Sequence, residues 1–66
     1  MRLVINGDPR EVPDLATLAD LAEWLALPAF GSAIELNGNV VPRARHCATP
    51  LRDDDRLEIV KLVGGG

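Results

Sequence analysis

The chain has 66 residues, of which 47% are hydrophobic and 26% charged, and this is the balance of one ordinary globular domain. A core this small leaves little room for an enclosed ligand cavity, which argues against a self-contained enzyme. One Cys and one His supply neither an internal disulfide nor a closed zinc site, so the chain is predicted to hold no metal or other cofactor.

The start has three consecutive apolar residues, Leu3-Val4-Ile5, before turn residues, too few for a secretory signal or a membrane span. A soluble protein of the cytoplasm, with no membrane partner and monomeric when free, is the expectation. Ten acids against seven bases give a net charge of −3, and six of the bases are Arg scattered along the chain. That distribution opposes nucleic-acid binding, which calls for a basic patch. It suits instead a partner protein with a positive docking face.

Leu3 and Ile5 share one face of a short opening strand. Asn6-Gly7-Asp8-Pro9 is turn chemistry, and Arg10-Glu11-Val12 is the returning strand, ending near Pro13. The period then changes. Leu18, Leu21, Ala22 and Leu25 form a helical stripe, with Thr17 and Asp20 spaced as a capping box, or with Asp14 capping an earlier turn. Pro28 disfavours helical geometry at Leu27 and predicts a helix of about three turns ending there. Trp24 and Phe30 are expected at the rim of the core.

A second hairpin follows as Ala33-Ile34-Glu35-Leu36, the turn Asn37-Gly38-Asn39, and Val40-Val41, closed by Pro42. Residues 44–52 have no clean period and read as a connection with a short turn. Asp53-Asp54-Asp55 is a solvated acidic turn, since three consecutive carboxylates cannot all face one cation. The longest β pattern is 56–62: Leu57 and Ile59 point to one side, Arg56, Glu58, Val60 and Leu62 to the other. The order β-β-α-β-β-β predicts an α+β fold, a mixed sheet of about five strands on one helix, with the first and last strands adjacent at its centre. The expected core is Leu3, Ile5, Leu18, Leu21, Leu25, Ile34, Leu36, Leu57 and Ile59.

The end of the chain carries the chemistry. Val63-Gly64-Gly65-Gly66 cannot hold secondary structure, because fixing three successive glycines costs the most backbone entropy. The organisation is therefore a domain over 1–62 and a glycine-rich tail over 63–66. Such a tail is either a frayed end or a string built to enter a narrow site on another protein, where a terminal carboxylate can be adenylated and attacked. Cys47 reads as a small hydrophobe rather than a sulfur relay, and His46, with no orienting partner in sequence, as a surface residue.

The order of elements together with the Gly-Gly end resembles the ubiquitin-like β-grasp family and, within it, the ThiS sulfur carriers of thiamine biosynthesis. The resemblance runs through Asn6-Gly7, Thr17-Leu18 and the Leu-rich helix. It continues in Asn37 ahead of Val41-Pro42-Arg43, the acidic turn 53–55, and the apolar strand leading to Gly65-Gly66. Asp54 stands where that family often has Gly, and Gly64 adds a third glycine.

The resemblance implies that an E1-like adenylyltransferase, using ATP and magnesium, activates the carboxylate of Gly66. A sulfur donor such as a cysteine desulfurase would then convert it to a thiocarboxylate, which gives its sulfur to thiazole synthase. Gly64 and Gly65 would thread the partner's active site, and the chain would itself be no enzyme. Two other readings share the tail: the small subunit of molybdopterin synthase, and a ubiquitin-like protein modifier. From the alternation along 56–62, Val4, Val60 and Leu62 are expected to form a docking patch for the activating enzyme.

Overall fold

The computed structural model describes residues 1–28 and 30–61. Its elements are β1 (Arg2–Ile5), β2 (Asp8–Glu11), α1 (Leu18–Trp24), β3 (Ser32–Leu36), β4 (Asn39–Val41), a 3-10 helix (Arg43–Ala48) and β5 (Arg56–Lys61). The sheet order is β2-β1-β5-β3-β4. β5 runs parallel to β1 and antiparallel to β3, so the last strand lies at the centre beside the first. The expected mixed sheet and its central pair are present.

Both hairpins turn through Asn-Gly. Asn6 and Gly7 have φ of 51° and 83°, and Asn37 and Gly38 have 50° and 89°. Two successive positive φ values make the two-residue turn whose twist matches paired strands, and Asn and Gly tolerate it best. The first turn is tighter than Asn6-Gly7-Asp8-Pro9 suggested: β2 already begins at Asp8, which pairs with Ile5. Pro9 thus sits inside β2, where it is tolerated because β2 is an edge strand.

The capping box forms as the sequence indicates. The Asp20 N–H donates to Thr17 Oγ1 at 3.3 Å, and the Thr17 N–H donates to Asp20 Oδ2 at 3.1 Å. The helix is shorter than expected, seven residues rather than three turns. Ala26 adopts φ 56°, the Ala26 N–H donates to the Glu23 carbonyl at 2.9 Å, and the Leu27 N–H donates to the Ala22 carbonyl at 3.0 Å. These paired bonds are a Schellman motif, so a left-handed alanine ends the helix before Pro28 can.

The core packs α1 on one face of the sheet through Leu3, Ile5, Val12, Leu18, Leu21, Ile34, Leu51 and Leu57. Leu25, Leu36 and Ile59 are only partly buried, whereas Val12 and Leu51 are fully recruited. Leu51 enters because the 49–51 segment pairs with the start of the helix: the Leu18 N–H donates to the Thr49 carbonyl and the Leu51 N–H to the Ala16 carbonyl. Phe30 is not at the core rim; it is 84% exposed, and Trp24 is 43% exposed.

The Met1 ammonium donates to the Val12 carbonyl at 2.8 Å and to Asp14 Oδ1 at 3.1 Å. The hydrogen bond to Asp14 raises its pKa above the ordinary 8.0, against partial desolvation and with help from the Asp53 and Glu11 carboxylates. A raised pKa in the folded state contributes stability that is complete below 8.0 and lost as pH climbs through the raised value. Asp14→Asn should therefore melt slightly below the parent at neutral pH, and the two melting curves should converge in strong alkali. At C′ of the helix, Ala26→Gly should raise stability by about 0.5–1 kcal/mol in chemical denaturation, because glycine removes the left-handed Cβ clash.

Candidate functional site: the end of the central strand

The tail grows out of β5, so whatever fixes β5 fixes where the tail starts. On one side the Val4 N–H donates to the Asp55 carbonyl at 2.9 Å and the Asn6 N–H to the Leu57 carbonyl at 2.8 Å. β1 then turns away at Gly7, and the Asn6 side chain takes over: its Oδ1 accepts from the Ile59 N–H at 2.7 Å. At the other end of the strand Asn37 does the same. Its Oδ1 accepts from the Arg56 N–H at 3.0 Å, and its Nδ2 donates to Asp55 Oδ1 at 3.1 Å. Each Asn-Gly turn therefore serves twice, once as a bend and once as a clasp on β5. The turn role was visible in the sequence; the clasp was not, since it depends on which strand the turn lands beside.

The alternation along β5 holds. Leu57 is buried against α1, Ile59 is partly buried, and Val60 is 45% exposed on the open face, opposite Ala33. The expected patch does not close up, however. Val4 is half-buried and lies opposite Arg56, four residues before Val60, about 13 Å along the sheet. β1 ends at Ile5, opposite Leu57, before it reaches the row of Val60. Val4 and Val60 share a face without forming one surface. Leu62, and with it the tail residues Gly64, Gly65 and Gly66, lies outside the described residues.

Between α1 and the β3–β4 hairpin runs an open groove of about 490 Å³, bordered by Ala22, Leu27, Ser32, Val41, His46 and Cys47. His46 Nε2 lies 2.9 Å from the Val41 carbonyl, so the ring nitrogen that faces this acceptor carries the proton and is engaged with backbone. Cys47, read from sequence as a small hydrophobe, is exposed. Among the described residues no three His, Cys, Asp or Glu side chains gather as a metal site.

The acidic turn is structural. Asp53 Oδ1 accepts from the Arg2 N–H at 2.9 Å, and Asp55 Oδ2 accepts from the Arg52 N–H at 2.8 Å. Asp54 takes φ 67° and its N–H donates to the Arg2 carbonyl at 2.7 Å. Asp is among the residues that tolerate this left-handed position in place of glycine.

A mixed five-stranded sheet on one helix, with the carboxyl-terminal strand at its centre beside the first, defines a ubiquitin-like β-grasp domain. The ThiS family model matches residues 3–66. The chain belongs to the ThiS family. The crystal structure of the thiamine biosynthesis protein ThiS from Geobacter metallireducens superimposes with a TM-score of 0.85 at 33% identity, covering all of both chains. The uncharacterized protein ycf40 of Porphyra purpurea is 34% identical over 62 residues, covering 94% of this chain and 87% of that protein. The thiazole synthase of Paramagnetospirillum magneticum is 36% identical over all 66 residues, although this chain spans only 20% of that protein's length.

Asn6→Ala should cost about 1–3 kcal/mol, since it removes the acceptor of the Ile59 N–H and leaves a positive φ without asparagine's tolerance. Hydrogen exchange at the Ile59 amide should accelerate in Asn6→Ala and stay slow in Asn6→Asp, which keeps an acceptor oxygen.

Proposed function

We propose that this chain is a sulfur carrier for thiazole formation in thiamine biosynthesis, and that its working atom is the terminal carboxyl carbon of Gly66. A carboxylate is inert to nucleophiles because both oxygens share its charge. An E1-like adenylyltransferase would make it reactive: a Gly66 oxygen attacks the α-phosphate of magnesium-bound ATP, pyrophosphate leaves, and an acyl-adenylate results. A sulfur nucleophile, such as a persulfide loaded by a cysteine desulfurase, then attacks the acyl carbon and AMP departs. Reductive cleavage of the resulting sulfur–sulfur bond by a thiol leaves the thiocarboxylate, which thiazole synthase consumes.

What supports the reading most directly is that the ThiS family match covers residues 3–66, with Gly64, Gly65 and Gly66 inside it. The division of labour agrees with it. Among the described residues the buried side chains are all apolar and serve the core. The domain orients a backbone end, and its partners do the chemistry. Gly64 and Gly65 would let that end pass between close walls, because they present no Cβ. Val60, on the open face one residue before the end of β5, would meet the activating enzyme, with Leu62 following it. The carrier would act as a free monomer in the cytoplasm.

Incubated with its activating enzyme, ATP, magnesium and a sulfur source, the chain should gain the mass of one sulfur in place of one oxygen. A chain lacking Gly66 should show no such gain while retaining its melting temperature. A mass corresponding to attachment to another protein through Gly66 would instead identify a modifier and sink the carrier reading.

A further inference from the structure

The carrier chemistry leaves one exposed feature unused. Phe30, in the loop ahead of β3, has 84% of its surface open to solvent, more than Trp24, Val40 or Val60. The guanidinium carbon of Arg43 lies 5.1 Å from the centre of its ring, within cation–π range. The two residues come from different segments but reach the same place. Phe30 precedes Ser32, which pairs with Lys61 at the end of β5, and Arg43 follows Val41, which pairs with Ile34. Both therefore stand at the end of the sheet where β5 delivers the tail.

Charge is segregated along the same axis. In segments 30–34, 41–43 and 59–61, the β3, β4 and β5 part of this end of the sheet, the charged residues are Arg43 and Lys61, both cations, while the β1–β2 turn at the same end adds Asp8. The consecutive acids Asp53, Asp54 and Asp55 sit at the opposite end of β5, fastened to Arg2, Arg52 and Asn37. The surroundings of Phe30 are thus locally positive on a net negative chain, and an acidic partner face would complement them. Aromatic residues, Phe included, and Arg are both enriched at the cores of protein interfaces relative to the rest of the surface.

Resting on the carrier reading, we propose that Phe30 and Arg43 form the docking contact for thiazole synthase. Phe30 would enter an apolar slot, and carboxylates at its border would pair with Arg43 and Lys61. Thiazole synthase is the partner because the curated thiazole synthases carry, within a fifth of their length, a segment that matches this chain throughout. There the two bodies share one polypeptide, and a contact beside the tail would keep them in register. The open face around Val60 stays available to the activating enzyme.

The test is titration of the full chain into thiazole synthase by calorimetry. Phe30→Ala and Arg43→Glu should each weaken binding about tenfold or more, and Arg43→Lys should weaken it less than Arg43→Glu. Added salt should weaken the parent more than Arg43→Ala. Phe30 is too exposed for its loss to unfold the domain, and unchanged circular dichroism checks this. Thiocarboxylate formation by the activating enzyme, followed by mass, should proceed in both variants as in the parent. Unchanged synthase affinity in Phe30→Ala and Arg43→Glu would overturn the proposal. So would intact synthase binding with lost sulfur loading, which would assign this surface to activation. A parent that gains no sulfur yet binds the synthase through these two residues would overturn the carrier reading and leave the contact standing.

Discussion

The central strand of this domain is held at its two ends by two side-chain carbonyls. Asn6 and Asn37 each receive a backbone N–H of β5, at Ile59 and Arg56. A central strand usually has its hydrogen bonds made by neighbouring strands along its whole length. Here β1 stops two residues short of Ile59, and an amide side chain supplies the missing acceptor. The same asparagines carry the positive φ of the hairpin turns, so the bend that shortens β1 also brings the replacement acceptor. The position of β5 in the sheet is thus set in part by local turn geometry and needs no extra element.

Much of this was legible in the residues. Asn-Gly pairs specify two-residue turns wherever they fall between β patterns, and both hairpins follow that rule. The capping box at Thr17 and Asp20 is a four-residue affair and was visible for the same reason. The alternation of Leu57, Ile59 and Val60 placed these residues on the correct faces of β5. Partner strands were harder. Val4 and Val60 were expected to meet because both face away from the helix, but facing one way says nothing about register. The pairing of Val4 with Arg56 sets them apart.

The errors have a common source in contacts made at a distance. Leu51 lies in a stretch without period, and it is buried because 49–51 pairs with 16–18 across the molecule. The helix was read through to Leu27 because the apolar stripe continues to Leu25, yet the backbone reverses at Ala26, a residue with no left-handed preference. Phe30 was expected at the rim of the core, since aromatic rings are usually covered. In a chain with so few elements, the sheet ends before it reaches that loop.

The pairing of β1 with β5 also has a consequence for how the molecule is made. Val4 and Arg56 are neighbours in space although 52 positions of chain separate them (56 − 4). During translation, β1 and β2 emerge early and can close their hairpin, but the sheet has no centre until the final strand leaves the ribosome. Until then the apolar sides of Leu3, Ile5 and Ile34 have nothing to complete them, which is the state in which nascent chains aggregate. Folding of this domain is therefore committed late, when β5 becomes available, and a chain cut short before β5 has no central strand to close its core.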